Sequence, residues 1–224
     1  MKLYMHPVST TSRPLLLLIA EKDLPIETQV VDLMTGEHMQ AEFGAINPNH
    51  LVPVLEDGDW RLTESQAILQ FLADQFELYD LYPQDLRARA RVNERLDWFN
   101  TQFFREYGYG FCYPQIFPHH VRQDDDAQTK TLAWGSERAK KALGILDGEY
   151  IGSGDWVAGD SMSIADLSGA CMVNVGEVAQ VDLSDYPNIQ RWMANMRKLE
   201  HWDAANEVLY GFRDSVADKE FVAL

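Results

Sequence analysis

Apolar and polar positions follow two different spacings in the first 78 residues. Lys2–His6 alternates them as a half-buried strand does, and Ile26–Asp32 is rich in β-branched side chains, which favour strands. Arg13–Lys22, between them, is apolar and helix-forming, and a Ser/Thr cluster suited to helix capping precedes it. The pattern therefore predicts a strand, a helix and a second strand, in that order.

A hairpin is predicted next. Glu37–Phe43 has a weak helical pattern, and Val52–Glu56 and Trp60–Thr63 are predicted strands because an Asp-Gly turn signal lies between them. The first two strands of the chain can form a parallel β-α-β unit, to which this hairpin adds an antiparallel edge.

Ser65–Phe76 completes this part of the chain as a predicted helix, and Thr63 and Gln66 have the spacing of a capping box at its start. The predicted order is β-α-β-α-β-β-α, which matches a thioredoxin-like arrangement.

The remainder of the chain has almost no strand signal. Tyr79–Pro83 interrupts the pattern, so we predict a first domain over 1–78, a linker over 79–86 and an all-helical domain over 87–224. The first helix of that domain has apolar residues at threes and fours from Leu86 to Phe103. Further helices are predicted near 127–147, 164–180, 188–199 and 202–210.

Charge narrows the choice of partners. The chain has 35 Asp and Glu against 19 Lys and Arg, a formal charge of -16, and its 46% hydrophobic content is that of a globular protein. A surface this acidic repels nucleic acid and anionic lipid. An anionic ligand would therefore need a local cradle of cations or backbone N–H groups.

The sequence shows neither a signal peptide nor a metal-binding motif. MKLYMHPVS has no apolar stretch behind a basic region, and the longest apolar run, Leu15–Ala20, is far shorter than the roughly 20 residues that span a bilayer. Cys112 and Cys171 fit neither a CxxC motif nor a metal site, although they could form a buried pair. We therefore expect a cytoplasmic protein that has no metal.

Four segments resemble motifs of the glutathione transferase superfamily, and the resemblance covers nearly the whole chain. LYMHPVSTTSR at 3–13 is similar to the first strand and catalytic turn of the serine-type classes (theta, delta and related bacterial enzymes). INPNHLVPVLEDG at 46–58 is similar to the segment around a cis-proline, LTESQAIL at 62–69 to a γ-glutamyl motif, and SMSIADL at 161–167 to a capping box in the helical domain.

This resemblance implies a thioredoxin-like α/β N-terminal domain and an all-α C-terminal domain, in a homodimer. It also implies a detoxification enzyme that takes glutathione as co-substrate and directs its thiolate at a hydrophobic electrophile. Conjugation, dehalogenation, ether cleavage and peroxide reduction all stay open as the reaction.

Ser9 is the candidate catalytic residue. Serine between a strand and a helix is commonly a cap or turn residue. The resemblance instead implies a hydroxyl that donates to the glutathione sulfur, at a helix N-terminus whose dipole favours the anion. Lowering the pKa of a thiol from its usual value of about 8.5 increases the fraction of nucleophilic thiolate.

Three neighbours of Ser9 compete with it or assist it. Ser12 is at the expected N-cap and is interpreted as structural. Thr10 occupies the place where a cysteine-type bacterial class carries its cysteine. Arg13 is either a helix-surface cation or a charge close enough to stabilise the thiolate.

The resemblance also implies a set of glutathione-binding residues. Pro53, with Leu51 and Val52 before it, would follow a cis bond that turns the Val52 backbone towards the cysteinyl backbone of glutathione. Glu64 would take the γ-glutamyl ammonium, and Ser65 with the helix N–H groups would take its carboxylate.

Histidines and aromatic residues supply weaker candidates. His50 and His38 resemble positions that meet the glycyl carboxylate, whereas His119-His120 is predicted to be a loop. The aromatic stretch Phe103–Phe117 contains glycines and a proline that interrupt regular helix, so we predict that Tyr107 and Tyr113 line the electrophile pocket.

Two motifs and two rival functions complete the prediction. Ser163-x-x-Asp166 is interpreted as a structural capping box, and Asp124–Asp126 as a loop or helix start. Glutathione-dependent isomerisation is one rival, but Ser9-Thr10-Thr11 lacks the cysteine of that class. A non-catalytic binding protein with the same fold is the other.

Overall fold

A mixed four-stranded sheet begins the computed structural model, which describes residues 1–224. β1 (Lys2–Met5) pairs in parallel with β2 (Glu27–Val30), and α1 (Arg13–Glu21) crosses between them. On its other side β1 pairs antiparallel with β3 (Val54–Asp57), which pairs antiparallel with β4 (Trp60–Leu62). The predicted β-α-β unit and antiparallel hairpin are both confirmed.

The two remaining helical segments of this part differ from their predictions. The weak helix splits into a 3₁₀ turn, Glu37–Met39, and a short helix α2, Ala41–Gly44. α3 spans Ser65–Gln75, and Glu64 occupies its N-cap without a side-chain capping bond. The capping box predicted from Thr63 and Gln66 is therefore wrong, because the chain enters the helix at Glu64, where φ is +64°.

The rest of the chain is helical, as predicted. Its α-helices are α4 (Leu86–Trp98), α5 (Tyr113–Ile116), α6 (Asp125–Ile145), α7 (Ile164–Asn174), α8 (Pro187–Met196) and α9 (Trp202–Ser215). No helix combines the length and the apolar character needed to cross a membrane.

Wide π-helical turns replace regular helix over Phe99–Phe103 and Arg105–Cys112. Gly108 is needed there because a Cβ at this position would lie 2.4 Å from the Phe104 ring. The widened turns place Tyr113 at the start of α5, where it faces the first part of the chain.

One continuous core joins the sheet side of the molecule to the helices. It contains Leu3 and Leu18 from the first part together with Phe99 and Trp192 from the second. α7 lies at its centre and every residue of that helix is buried. The face of α1 that is packed on α7 therefore has to be apolar or fully hydrogen-bonded.

In the second part, Asp124–Asp126 is a helix start rather than a loop, and the predicted capping box at Ser163 is confirmed. Asp124 caps α6 by accepting from the Ala127 amide at 2.8 Å. Ser163 and Asp166 form a complete capping box at the start of α7.

Candidate active site

Ser9 lies in the tight turn between β1 and α1. Its amide donates to the His6 carbonyl at 2.9 Å, and its carbonyl accepts from the amides of Ser12 and Arg13, each at 3.1 Å. The Ser9 Oγ also accepts from the Ser12 amide at 3.3 Å. Ser9 is partly exposed, so its hydroxyl is held by the turn and remains accessible.

A chain of hydroxyl groups connects Ser9 to Val52. Thr11 Oγ1 donates to the Val52 carbonyl at 3.2 Å, and Ser9 Oγ and Thr11 Oγ1 share a hydrogen bond of 3.1 Å. Because a threonine hydroxyl has one proton and Thr11 gives it to Val52, the Ser9 proton is directed to Thr11. Thr11 is thus a functional candidate that the sequence analysis missed; its only signal is its place among consecutive hydroxyl residues.

The competing hydroxyls have different surroundings. Thr10 is buried and its Oγ1 shares a 3.0 Å hydrogen bond with the Tyr113 hydroxyl. Ser12 is fully buried and occupies the N-cap of α1, but its Oγ makes no capping bond and has no protein partner. The prediction that Ser12 caps α1 is right for the position and wrong for the side chain, because Pro14 has no N–H and the Leu15 amide donates to the Ser12 carbonyl, at 3.1 Å, rather than to its Oγ.

Arg13 is not a helix-surface cation. Its side chain is fully buried, and its guanidinium donates to Asn206 Oδ1 and, at 2.9 Å, to the Cys171 carbonyl. Because the whole side chain is buried in these contacts, Arg13 has no exposed surface with which to touch glutathione directly. The side chain turns inwards because α1 packs its buried face against α7 and α9.

The segment before β3 presents its backbone next to Ser9. The Val52–Pro53 peptide bond is cis, as the resemblance implied. The Val52 carbonyl accepts from Thr11, and the Val52 amide makes no hydrogen bond within the chain. Leu51 is 62% exposed, and its carbonyl is held by the Asn47 side chain at 2.7 Å.

Glu64 and Ser65 lie at the N-terminus of α3. Glu64 is exposed and has a positive φ, and Ser65 is buried in the first turn. Beyond the Glu64 N-cap the first turn contains no acidic residue, and the Glu64 side chain makes no capping bond, so the N–H groups of this turn are available to an anion. Gln66 is buried there and its Nε2 has no protein partner.

His50 and His38 are neighbours. Nδ1 of His50 donates to the His38 carbonyl at 2.7 Å, which leaves Nε2 of His50 free for another partner. The His50 ring packs on Gly44, where a Cβ would lie 2.8 Å from it. Nδ1 of His38 is buried without a protein partner.

The two tyrosines that were predicted to line the electrophile pocket, Tyr107 and Tyr113, lie in different environments. Tyr107 is completely buried, stacks on Phe103 and donates to the Val173 carbonyl at 3.2 Å, so its predicted place in the pocket is wrong. Tyr113 is half-buried and reaches Thr10. Its ring contacts an aromatic cluster made of Phe104, Tyr109, Phe117 and His120.

Burial controls protonation around this site. It raises the pKa of Tyr113, although the bond to Thr10 and the charge of Arg13 act in the opposite direction. Burial also raises the pKa of Cys171, to about 11, and that of Cys112. Both cysteines are free thiols in the helical part, and these shifts keep them protonated at neutral pH. No cluster of three His, Cys, Asp or Glu side chains could hold a metal.

The C-terminal segment is held against the same aromatic region. Phe212 stacks on Phe117 with an interplanar angle of 5°, and the Val222 amide donates to the Gln115 side chain at 2.7 Å. His119 and His120, predicted as a loop, form a short 3₁₀ turn beside this cluster.

Comparisons with known proteins match this geometry. Residues 8–75 match the family model "Glutathione S-transferase, N-terminal domain", and residues 114–200 match "Glutathione S-transferase, C-terminal domain". Glutathione S-transferase theta-1 of Homo sapiens is 31% identical over 220 residues, which cover 96% of this chain and 90% of that protein.

Two solved structures share the complete fold. Human glutathione transferase theta-2, in complex with glutathione and an unknown ligand, has a TM-score of 0.84 at 26% identity and covers 100% of this chain and 93% of its own. A human theta-class enzyme in complex with the glutathione conjugate of 1-menaphthyl sulfate has a TM-score of 0.85 at 28% identity, over 97% of this chain and 90% of its own.

Proposed function

We propose that Ser9 stabilises the thiolate of glutathione in this chain, which belongs to the glutathione S-transferase family. The chain is a glutathione transferase, similar to the theta and delta classes, that takes glutathione as co-substrate. The observation that supports this role is the environment of the Ser9 hydroxyl. Among Ser9, Thr10 and Ser12, only Ser9 is partly exposed, and its one proton goes to a neighbouring hydroxyl from which it can be redirected.

Glutathione binding is proposed to follow the backbone features around Ser9. The unpaired Val52 amide supports pairing with the cysteinyl backbone of glutathione as an added strand. The N-terminus of α3 and Ser65 supply donors for the γ-glutamyl carboxylate, while the exposed Glu64 is available to its ammonium group. Together these form the local anion cradle that a chain of charge -16 needs.

Two further contacts are proposed at the other end of glutathione. The free Nε2 of His50 is the better histidine candidate for the glycyl carboxylate, and His38 supports it through its carbonyl. Leu51 is proposed to cover the bound tripeptide, because it is exposed on the segment that leads to Val52.

The proposed reaction needs little rearrangement of the side chains around Ser9. When the thiol loses its proton to solvent, the Ser9 hydroxyl turns from Thr11 to donate to the sulfur anion. The N-terminus of α1 favours the same charge, since its first turn contains no acidic residue. The thiolate then attacks an electrophilic atom, a sulfur–carbon bond forms in the case of conjugation, and the leaving group departs with its electron pair.

The electrophile is proposed to be hydrophobic and to bind against Tyr113. The aromatic cluster around that ring offers an apolar wall, and the hydroxyl pair of Tyr113 and Thr10 is its polar edge next to Ser9. In this arrangement the glutathione residues belong to the proposed domain 1–78, and Tyr113 belongs to the proposed domain 87–224. 1-Menaphthyl sulfate is a suitable probe, because the conjugate bound by the human theta-class enzyme derives from it.

We also propose that the protein is a cytoplasmic homodimer that acts in detoxification. The family relationship supports the dimer, and the two buried free thiols support a reducing compartment. Light scattering during size-exclusion chromatography tests the dimer, since a mass of one 25.6 kDa chain would contradict it.

Retention on immobilised glutathione and a thermal shift with millimolar glutathione test the proposed function. We expect binding in both assays and turnover of a hydrophobic electrophile. Absence of binding would overturn the glutathione site. Binding without turnover of conjugation, dehalogenation or peroxide substrates would favour the non-catalytic rival.

A further inference from the structure

Two adjacent histidines, His119 and His120, lie in the 3₁₀ turn Pro118–His120 that follows α5. His119 is exposed and His120 is partly exposed, and the ring nitrogens of both make no hydrogen bond within the chain. By contrast, Nδ1 of His6 accepts from the Val8 amide at 3.1 Å. The two imidazoles of this turn are therefore available to a ligand.

His120 packs into the aromatic wall of the proposed electrophile site. The centre of its ring lies 5.2 Å from that of Tyr113 and 5.6 Å from that of Tyr109, and the two tyrosine rings are 4.9 Å apart. Tyr109 is 51% exposed, so this group of three rings opens towards solvent. His120 thus adds polar ring nitrogens to a wall that is otherwise made of Phe and Tyr rings.

Thr10 and His120 contact different parts of one tyrosine side chain. Thr10 Oγ1 shares a 3.0 Å hydrogen bond with the Tyr113 hydroxyl, whereas His120 contacts the Tyr113 ring. In a displacement the attacking sulfur and the leaving group lie on opposite sides of the carbon. An electrophile that lies along Tyr113, with its reacting carbon at the hydroxyl end, would therefore direct its leaving group towards His120.

The surroundings of His120 suit a negative charge. The titratable and charged groups that face it are Tyr109, Tyr113, His119 and Arg122, and no carboxylate is among them although the chain has 35 Asp and Glu. Burial, followed by the charges of His119 and Arg122, lowers the pKa of His120. The imidazole is therefore neutral near pH 7, with one N–H to donate, and becomes a cation only in more acidic solution.

We propose that His120 is a specificity-determining residue that donates a hydrogen bond to an anionic oxygen leaving group on the electrophile bound against Tyr113. This inference rests on the proposed function. The thiolate gives an electron pair to the new sulfur–carbon bond, the carbon–oxygen bond breaks, and the leaving oxygen keeps the electron pair of that bond. His120 keeps its proton throughout and stabilises the charge that collects on the oxygen.

Two electrophiles with the same reacting carbon separate this contact from general catalysis. 1-Menaphthyl sulfate and 1-menaphthyl chloride give the same glutathione conjugate and differ only in the leaving group, so a change at the thiolate affects both rates. We expect His120→Phe, which keeps an aromatic ring and removes the nitrogens, to lower the sulfate-to-chloride ratio of kcat/KM about tenfold, as for loss of a hydrogen bond to a charged group. Chloride turnover should stay near that of wild type.

His119→Phe is the matched control, since it makes the same chemical change at the neighbouring position. The His119 ring contacts Phe117 and His120 and does not contact Tyr113, so we expect the wild-type ratio. His120→Gln is the rescue variant, because its amide N–H can donate but cannot gain charge. It should recover most of the ratio at neutral pH, whereas only an intact His120 should give a ratio that rises as the pH falls to about 5.5.

An unchanged ratio in His120→Phe, or an equal fall in His119→Phe, would overturn the proposal. Turnover of the chloride but not of the sulfate by wild type would do the same. If His120→Phe does not fold, His120→Gln decides, since a ratio that still rises at low pH as in wild type would refute the role of His120. If wild type turns over neither electrophile, the proposed function fails, and this result is distinct from normal turnover of both with a ratio that His120→Phe leaves unchanged.

Discussion

Two serines precede helices in this molecule, and their surroundings are opposite. Ser163 is buried, and its Oγ accepts from the Ala165 amide and donates to Asp166 at 2.9 Å. Ser9 is partly exposed, accepts one long bond from the Ser12 amide and shares its proton with Thr11. A serine before a helix therefore stabilises the fold where all its hydrogen-bonding groups have partners, as at Ser163. It is suited to chemistry where its proton can be redirected to a ligand, as at Ser9.

Charge at the two helix ends shows the same contrast. Asp166 lies in the first turn of α7 and neutralises the positive end of that helix from inside the protein. α1 has no acidic residue in its first turn, although the chain has sixteen more acidic than basic side chains. The positive end of α1, next to Ser9, is thus available to the negative charge of a bound ligand.

Removing the Asp166 carboxylate should produce the largest effect, a loss of folding stability. The carboxylate accepts from the amides of Val157 and Ser163, from the Ser163 hydroxyl and from Trp192 Nε1 at 2.9 Å. Asp166→Ala leaves these buried donors unpaired, so we expect a loss of about 3–5 kcal/mol of unfolding free energy in denaturant titrations. Asp160→Ala, at an exposed position, is the control. A loss no greater than that of the control would refute the structural role of the box.

Ser9→Ala should have the largest effect on turnover. Loss of one donor to the sulfur anion predicts a decrease of roughly 100-fold in kcat, by analogy with removal of an oxyanion donor. Glutathione affinity and thermal stability should be mostly kept, because the backbone bonds of the turn remain. Steady-state kinetics with a general electrophile measures the decrease. Unchanged turnover would make Ser9 a turn residue and leave Thr10 or Ser12 as the next candidate.

Thr11→Val should have a smaller effect. The substitution keeps the shape of the side chain and removes the bonds to Ser9 and to the Val52 carbonyl. We expect kcat/KM to fall roughly 3- to 10-fold, the worth of about one hydrogen bond. Because Val52 is in the proposed glutathione segment, KM for glutathione should rise as well. If both constants stay at their wild-type values, the hydroxyl chain has no role in positioning Ser9.

Ser12→Ala should have the smallest effect on catalysis. Its Oγ is buried without a protein partner, so removing it leaves no donor or acceptor newly unpaired. Turnover should stay near wild type, and the midpoint of unfolding should stay level or rise slightly. A loss of turnover comparable with that of Ser9→Ala would reverse the assignment of the two serines.

Local pattern predicted most of the framework correctly. The strands, the parallel crossover, the helical second part and the capping box at Ser163 all depend on spacings within a few residues, where side-chain periodicity and cap chemistry act. The Thr63–Gln66 capping box failed although its spacing was right, because Glu64 enters α3 with a positive φ and takes the N-cap.

Contacts between distant segments decided the environment of the candidate site. Arg13 and Asn206 are 193 positions apart, and Thr10 and Tyr113 are 103 apart. Tyr107 and Tyr113 lie in the same aromatic stretch, yet one is sealed in the core and the other reaches the Ser9 turn. The sequence nominated Ser9 through its resemblance to the serine-type classes, since residue type and position alone favoured a cap or turn residue. The packing of α1 against α7 and α9 determined the partners of Arg13, because burial and pairing depend on segments that meet only in the folded chain.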